Sequence, residues 1–92
     1  MQSQNKHPKE TERYMYNAVL QEAIEKQLKQ AIKESGFTQV QLLEAINSKR
    51  KDNYKYSASN LSTKISSGRI TYWEAIEIAE ILGYEITWNK KI

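Results

Sequence analysis

Apolar residues recur every four positions through the first third of the chain, over residues 11–35. This spacing places them on one side of an α-helix. Gly36 follows as a residue that ends a helix without backbone strain. The pattern predicts a long first helix, and it leaves open whether the helix is continuous or broken near Asn17. The apolar series consists of Tyr16, Leu20, Ile24, Leu28 and Ile32.

A second, short helix is predicted from a capping signal. Thr38 is followed three residues later by Gln41, the spacing at which two side chains satisfy each other's backbone N–H groups. Leu42 and Ile46 form the apolar side of the helix, which is expected to end at about Asn47.

A third helix is predicted after a polar loop over 48–56. Ser57 is a typical N-cap residue, and Gly68 ends the helix at its other end. Leu61 and Ile65 lie four residues apart and supply its inner side.

The fourth predicted helix spans 72–82. It starts at a second capping box formed by Thr71 and Glu74 and ends at Gly83. Residues 84–88 then alternate between apolar and polar side chains, which predicts a short strand. The aromatic side chains of this half are expected to serve the fold, with Trp73 and Trp88 in or near the core and Tyr54 and Tyr56 bracing the loop.

Length and composition limit the class of protein. A chain of 92 residues is expected to form one domain, with residues 1–10 as a disordered polar tail and 11–92 as the folded unit. The absence of cysteine excludes disulfides and sulfur-ligated metals, and it fits a cytoplasmic protein. No apolar run is long enough to cross a bilayer, and the first residues lack the apolar segment of a signal peptide.

The residues also argue against an enzyme. His7 is the only histidine and lies in the predicted tail, without the partners that metal binding or general-base catalysis requires. No glycine-rich phosphate loop, serine–histidine pair or pair of converging carboxylates is found. We therefore expect no catalytic residues, no metal and no cofactor.

Charge is distributed unevenly although the net charge is only +3. Residues 48–69 sum to +5, with Asp52 as their single acid, whereas residues 70–86 carry four glutamates and no cation. Clustered positive charge is typical of proteins that bind polyanions, but a solvated loop beside an acidic helix would give the same pattern. The cations of the first segment are Lys49, Arg50, Lys51, Lys55, Lys64 and Arg69.

The helix predicted over 57–67 has an unusual outer side. Its exposed positions carry short hydroxyl, amide and methyl side chains, and no acid occurs from Asn53 through Tyr72. Such side chains allow a close approach to DNA and can bond to phosphates or base edges. The helix N-terminus at Ser57 offers N–H groups to phosphate, and Lys55 and Lys64 flank the helix.

Several runs appear in an order typical of one family. They are Gly36-Phe37-Thr38-Gln39, the capped segment from Ser57 to Gly68, and Ile78-Ala79-Glu80-Ile81-Leu82-Gly83. Over about residues 24–83 the chain resembles the helix-turn-helix domain of Cro and lambda-repressor type (XRE-like) regulators. The resemblance implies an all-α domain of four to five helices, with a long N-terminal helix, the helix-turn-helix motif at 37–68, and a short C-terminal strand or extended tail.

The resemblance also implies which residues contact DNA. The positions that face base edges are Ala58, Ser59, Ser62 and Thr63. Phosphate contacts are common at the positions of Gln39, Asn60, Lys64 and Arg69. Apart from the resemblance, Ser57 at the helix N-terminus and the charged Lys55 are also candidates for phosphate contacts. Two departures from the family are a ten-residue connection between Ile46 and Ser57 and Leu43 where alanine is usual. Both suggest a wider helix crossing or a protruding loop, and Lys49, Arg50 and Lys51 in that loop would either contact DNA or remain solvated.

These observations predict a sequence-specific DNA-binding protein, a repressor-like transcriptional regulator of a phage or mobile element. A homodimer on double-stranded DNA is expected, because one such domain contacts few base pairs. The interface between the two copies would be formed by the first half of the first helix, with Tyr14, Met15, Tyr16 and Val19, or by the strand at 84–88. The alternative is a protein-interaction module on the same fold, such as an antitoxin, an inhibitor or an accessory factor.

Overall fold

The computed structural model describes the backbone of residues 8–91 and the side chains of residues 17–91. This part of the chain folds into four α-helices and one short 3-10 helix, and it contains no β-strand. The predicted all-α class is therefore confirmed. The helices are α1 (Pro8–Ser35), α2 (Gln39–Asn47), α3 (Ala58–Ser67) and α4 (Tyr72–Leu82), and the 3-10 helix spans Asp52–Tyr54.

Helix α1 is a single helix of 28 residues, with no break near Asn17. The described part of α1 starts at Pro8, so residues 8–10 of the tail predicted over 1–10 are helical. Residues 1–7 of the predicted tail lie outside the described part of the chain.

The apolar side of α1 enters the core only towards its C-terminal end. Ile32 is buried, whereas Leu20 is 43% exposed. The end of α3 meets α1 at Gln21: a Cβ atom at Gly68 would lie only 2.1 Å from the Gln21 carbonyl oxygen. Residues 17–20, which come directly before this contact, are exposed.

The core is formed by aliphatic side chains from all four helices. Leu42 and Ile46 of α2 and Leu61 and Ile65 of α3 are at most 1% exposed. They pack with Ile32, Ile78 and Leu82 in one cluster. The inner positions predicted for α2 and α3 are confirmed.

The predicted caps are present at α2, α3 and α4. Thr38 Oγ1 accepts the Gln41 N–H at 3.1 Å, and the Gln41 side chain accepts the Thr38 N–H at 2.9 Å. Thr71 and Glu74 form the same reciprocal pair at α4. The chain therefore specifies where these helices begin through local bonds.

Two predictions for the C-terminal half are wrong. Residues 84–91 form no strand, because the described chain offers them no neighbouring strand to bond with. Trp73 is 60% exposed and Trp88 is 86% exposed, so neither lies in the core. The aliphatic cluster already fills the space between the helices, and both indoles remain on the surface.

No described helix combines the length and the hydropathy needed to cross a membrane.

Candidate nucleic-acid interface

The outer side of α3 carries the four residues predicted to face base edges. Ala58, Ser59 and Thr63 are exposed and Ser62 is partly exposed. At 3.6 residues per turn these positions span an arc of about 140°, whose Ala58 edge borders the buried side of the helix and whose Thr63 edge lies farthest from it. Ser66 is also exposed and falls within the same arc. The arc contains no carboxylate, so nothing on it repels a polyanion.

The start of α3 adds further polar groups. Ser57 Oγ accepts the Asn60 N–H at 3.1 Å and lies 3.4 Å from Ser59 Oγ. Gln39 is exposed at the first position of α2, and it lines a small cleft between α2 and α3 together with Ala58. The structure therefore brings Gln39 close to the start of the α3 arc.

Leu43, which departs from the family pattern, lies between α2 and α3. This side chain is half-buried against the core and lines the same cleft as Ala58 and Leu61. The small side chain of Ala58 leaves room for the larger one at position 43.

Three of the predicted phosphate-binding cations point to solvent. Lys49, Lys51 and Arg69 are exposed and form no ion pair with any residue that the structure describes. Lys55 lies 3.1 Å from Asp52, but both side chains are largely exposed, and such surface pairs contribute little. These four cations are accessible to a polyanion.

Arg50 is engaged inside the molecule. Its Nη2 lies 2.5 Å from Glu77 Oε1, and its Nη1 donates to the Tyr54 carbonyl at 3.2 Å. The guanidinium lies 4.3 Å from the centre of the Tyr56 ring and 5.4 Å from that of the Trp73 ring. Burial alone lowers the pKa of Arg50, but the contacts with Glu77 and Tyr56 outweigh it, so the pKa is raised. With its side chain only 12% exposed, Arg50 is placed to hold the loop on α4 and not to contact phosphate, contrary to our expectation.

Lys64 is likewise turned towards an internal acid. Its Nζ lies 3.2 Å from Glu74 Oε2, and Glu74 is only 3% exposed. Glu74 also accepts hydrogen bonds from the Tyr56 hydroxyl and from Thr71. The charge of Lys64 is therefore matched by a buried carboxylate, which leaves it less available to phosphate than the exposed cations.

The pKa values of this cluster show that the carboxylate stays ionised. Burial by itself raises the pKa of Glu74, but the hydrogen bonds from Tyr56, Thr71 and Lys64 lower it to about 2. Burial and the hydrogen bond to Glu74 raise the pKa of Tyr56 to about 12. At neutral pH the cluster therefore holds one negative carboxylate and one neutral phenol, with Lys64 Nζ beside the carboxylate.

The loop between α2 and α3 is closed at its base by one side chain. Asn47 Oδ1 accepts the Tyr56 N–H, and Asn47 Nδ2 donates to the Tyr56 carbonyl, both at 2.9 Å. Sequence reasoning placed Tyr56 against the loop but missed its partner. An asparagine directly before a loop was the available signal, because its amide can both donate to and accept from the backbone.

No group of three histidine, cysteine, aspartate or glutamate side chains able to hold a metal ion occurs among the described residues. Comparison with known proteins finds no matching family model, no curated protein of significantly similar sequence and no solved structure that matches the chain significantly.

Proposed function

We propose that this protein binds double-stranded DNA sequence-specifically and regulates transcription as a repressor. In this proposal α2 and α3 act as a helix-turn-helix pair of the lambda-repressor type, with an enlarged turn between them. The observation that carries the proposal is the outer arc of α3, which is exposed, polar and free of carboxylates.

The arc has the chemistry that a major groove requires. The groove admits an α-helix, and its base edges present hydrogen-bond donors, acceptors and the thymine methyl group. The hydroxyls of Ser59, Ser62 and Thr63 would bond to base edges, and the methyl group of Ala58 suits a thymine methyl contact. These side chains are short, so the helix backbone can approach the bases closely.

Phosphate contacts would come from groups that the fold leaves accessible. The proposed cations are Lys49, Lys51, Lys55 and Arg69, and the neutral groups are Gln39, Ser57 and Asn60. We leave out Arg50 and Lys64, because Glu77 and Glu74 already neutralise them. These contacts would set the position and register of α3 on the duplex, while the α3 arc selects the sequence.

Regulation would be steric, since a protein seated in the major groove of an operator excludes other proteins from it. The resemblance to Cro and lambda-repressor type regulators favours a phage or mobile element as the setting. A dimer on a pseudo-palindromic operator would double the number of base pairs that are contacted.

The test is selection of bound sites from a random duplex pool with the full chain, followed by a salt titration on the selected site. We expect a preferred sequence and a log–log salt dependence whose slope grows by about 0.9 for each phosphate neutralised. Absence of binding at about 50 mM salt, where counterion release favours it, would contradict the proposal.

A pair of triple variants separates local contacts from net charge. Replacing Lys49, Lys51 and Arg69 by glutamine should weaken binding and flatten the salt dependence. The matched control replaces three exposed lysines of α1 and removes the same charge elsewhere; it should leave the slope nearly unchanged. The control positions are Lys26, Lys29 and Lys33.

A protein-interaction module is the second candidate, and one observation favours it. Large apolar side chains of α4 and the following segment are exposed to solvent, and single-chain proteins rarely leave a contiguous patch of this kind uncovered. A protein that forms a stable complex with a partner but selects no DNA sequence would support this candidate. The exposed side chains are Tyr72, Trp73, Ile76, Ile86 and Trp88.

A further inference from the structure

A small cleft lies between the N-terminal ends of α2 and α3, directly beside the candidate interface. It is lined by Gln39 and Val40, the first two residues of α2, and by Ala58, the first residue of α3. Leu43 and Leu61 complete the lining. Because Ala58 belongs both to the cleft and to the outer arc of α3, the cleft is continuous with the surface that is proposed to enter the major groove.

The cleft has the size and the lining of a site for one apolar group. Its volume is about 50 Å³, and its lining is almost entirely apolar. Leu61 is buried, whereas Val40 is 62% exposed, so the cleft connects the edge of the core with solvent. A water molecule takes up about 30 Å³ and needs roughly two to four polar partners, which such a lining does not offer. A methyl group is of similar size and needs no polar partner.

A pyrimidine methyl group is the apolar group that a major groove presents. The edges of the bases in this groove carry hydrogen-bond donors and acceptors, and thymine adds a methyl group at C5. 5-Methylcytosine carries a methyl group at the same ring position. Entry of this group into the cleft would remove it from water, together with exposed apolar surface of Val40 and Ala58, and burial of apolar surface is favourable.

The hydroxyl groups of the α3 arc bond to base edges but do not by themselves single out one base. Serine and threonine both donate and accept, so they suit more than one base. No position of the arc carries an arginine, lysine, asparagine or glutamine, the side chains that bond to guanine or adenine through two atoms. A methyl contact in the cleft would add a preference for one kind of base at a defined position.

We propose that the cleft between α2 and α3 receives the C5 methyl group of a pyrimidine, so that each bound chain selects thymine or 5-methylcytosine at one position. The inference rests on the proposed binding of duplex DNA through α3, and it names the base that the start of this helix reads. Leu43 supplies part of the apolar lining that an alanine at its position would lack.

The first experiment removes the methyl group from the DNA. Each thymine of the selected site is replaced singly by uracil, which differs from thymine only in lacking this group. We expect one thymine per bound chain at which the dissociation constant rises about fourfold, the effect of withdrawing one methyl group from an apolar site. Thymines whose methyl groups stay largely hydrated should change the dissociation constant by less than about twofold.

A second set of duplexes carries cytosine at the sensitive position. Methylation of this cytosine at C5 should strengthen binding about fourfold. Tighter binding of the thymine duplex assigns the cleft to thymine, and tighter binding of the 5-methylcytosine duplex assigns it to the modified base. Absence of a methyl effect in both sets of duplexes overturns the proposal.

The third experiment fills the cleft from the protein side. Ala58→Val adds two methyl groups there, and the difference between the thymine and uracil duplexes should fall from about fourfold to less than about 1.5-fold. Ala18→Val makes the same change at an exposed position of α1 and should keep the full difference. Helical circular dichroism and the thermal midpoint show that both variants are folded. A fourfold difference that persists in Ala58→Val overturns the proposal, because the methyl group is then read elsewhere.

A milder variant tests the other wall of the cleft. Val40→Thr keeps the shape of the side chain but replaces a methyl group with a hydroxyl, and it should reduce the difference between the two duplexes to about twofold. An unchanged difference would exclude Val40 from the site and count against the cleft.

These outcomes separate the methyl site from the proposed function. Selection of a defined sequence in which every thymine tolerates uracil would leave the proposed function standing and overturn the methyl site. Failure to select any sequence would overturn both.

Discussion

The two sides of α3 differ in how many of their side chains make contacts with the rest of the chain. The inner side is held by tertiary contacts: Leu61 and Ile65 are buried, Lys64 contacts Glu74, and Gly68 allows close contact with α1. On the outer side, Ser59, Ser62 and Thr63 have no hydrogen bond or ion pair with another helix of the part that the structure describes. Hydroxyl groups here in place of the usual mixture of lysine and glutamate are not explained by contacts within the described chain, and the proposed DNA contact would account for them.

The same contrast separates the cations around α3. Arg50 and Lys51 are neighbours in sequence, and a count of charges treats them as equal. In the fold Arg50 lies near the rings of Tyr56 and Trp73 and pairs with Glu77, while Lys51 is exposed. The summed positive charge of a segment therefore overstates the charge that a partner can reach, because some of the cations are paired with acids inside the protein.

The largest effect is expected on the inner side, at the contact between α3 and α1. Gly68→Ala should destabilise the fold by roughly 2–5 kcal/mol, because it adds the strain of a positive φ and a clash with the Gln21 backbone. Gly83→Ala is the matched control, with a similar φ but open space around it. It should cost only about 1–2 kcal/mol in urea unfolding. Equal losses for the two variants would show that the close contact does not matter.

A smaller loss is expected when the buried carboxylate is neutralised. Glu74→Gln keeps the reciprocal cap of α4 but leaves Lys64 without its acid, and should cost about 1–3 kcal/mol at neutral pH. The exposed Glu80 provides the control, because Glu80→Gln should change stability by less than about 0.5 kcal/mol.

The acid dependence gives a second measurement on the same residue. The pKa of Glu74 is lowered from 4.5 to about 2, so its contribution to stability is complete above pH 4.5. That contribution is lost as the pH falls from 4.5 towards 2, since the unfolded state then binds the proton first. Urea unfolding across this range should show a drop in stability that Glu74→Gln reduces, and an unchanged drop would contradict the assignment.

On the outer side, a substitution should change recognition without changing the fold. Thr63→Ala should lower the preference for the selected site over other sequences by about 1–3 kcal/mol, while stability changes by less than about 0.5 kcal/mol. The exposed Glu80 lies outside α3, and Glu80→Gln should alter neither quantity. A binding competition between selected and scrambled duplexes measures the difference. If Thr63→Ala leaves the preference intact, the arc of α3 is not the recognition surface.

The smallest expected effect distinguishes accessible from internally paired cations. Arg69→Gln should reduce the salt slope of DNA binding by about 0.9. Lys64→Gln should leave the slope unchanged and lower stability instead, because its charge is already matched by Glu74. The same slope change in both variants would show that Lys64 also reaches phosphate.

Elements that depend on neighbours in sequence were predicted well. The reciprocal pair of Thr38 and Gln41 marks the start of α2 in both the sequence and the structure, because the two groups are only three residues apart. The inner positions Leu42, Ile46, Leu61 and Ile65 followed from the helical period. The strand at 84–88 was predicted wrongly, because alternation specifies a strand only when another strand is within reach.

The sequence by itself determined the helices after Gly36 and their caps, the inner positions of α2 and α3 and the acid-free side of α3. All of these depend on side chains within about one helical turn of each other. Over that length, the number of residues between two side chains determines how they are placed relative to each other. Only the tertiary structure decided which cations remain accessible. Arg50 meets Glu77 and Tyr56 meets Glu74 across 27 and 18 residues of sequence, and such pairs form only when the packing of α2, α3 and α4 brings their side chains together.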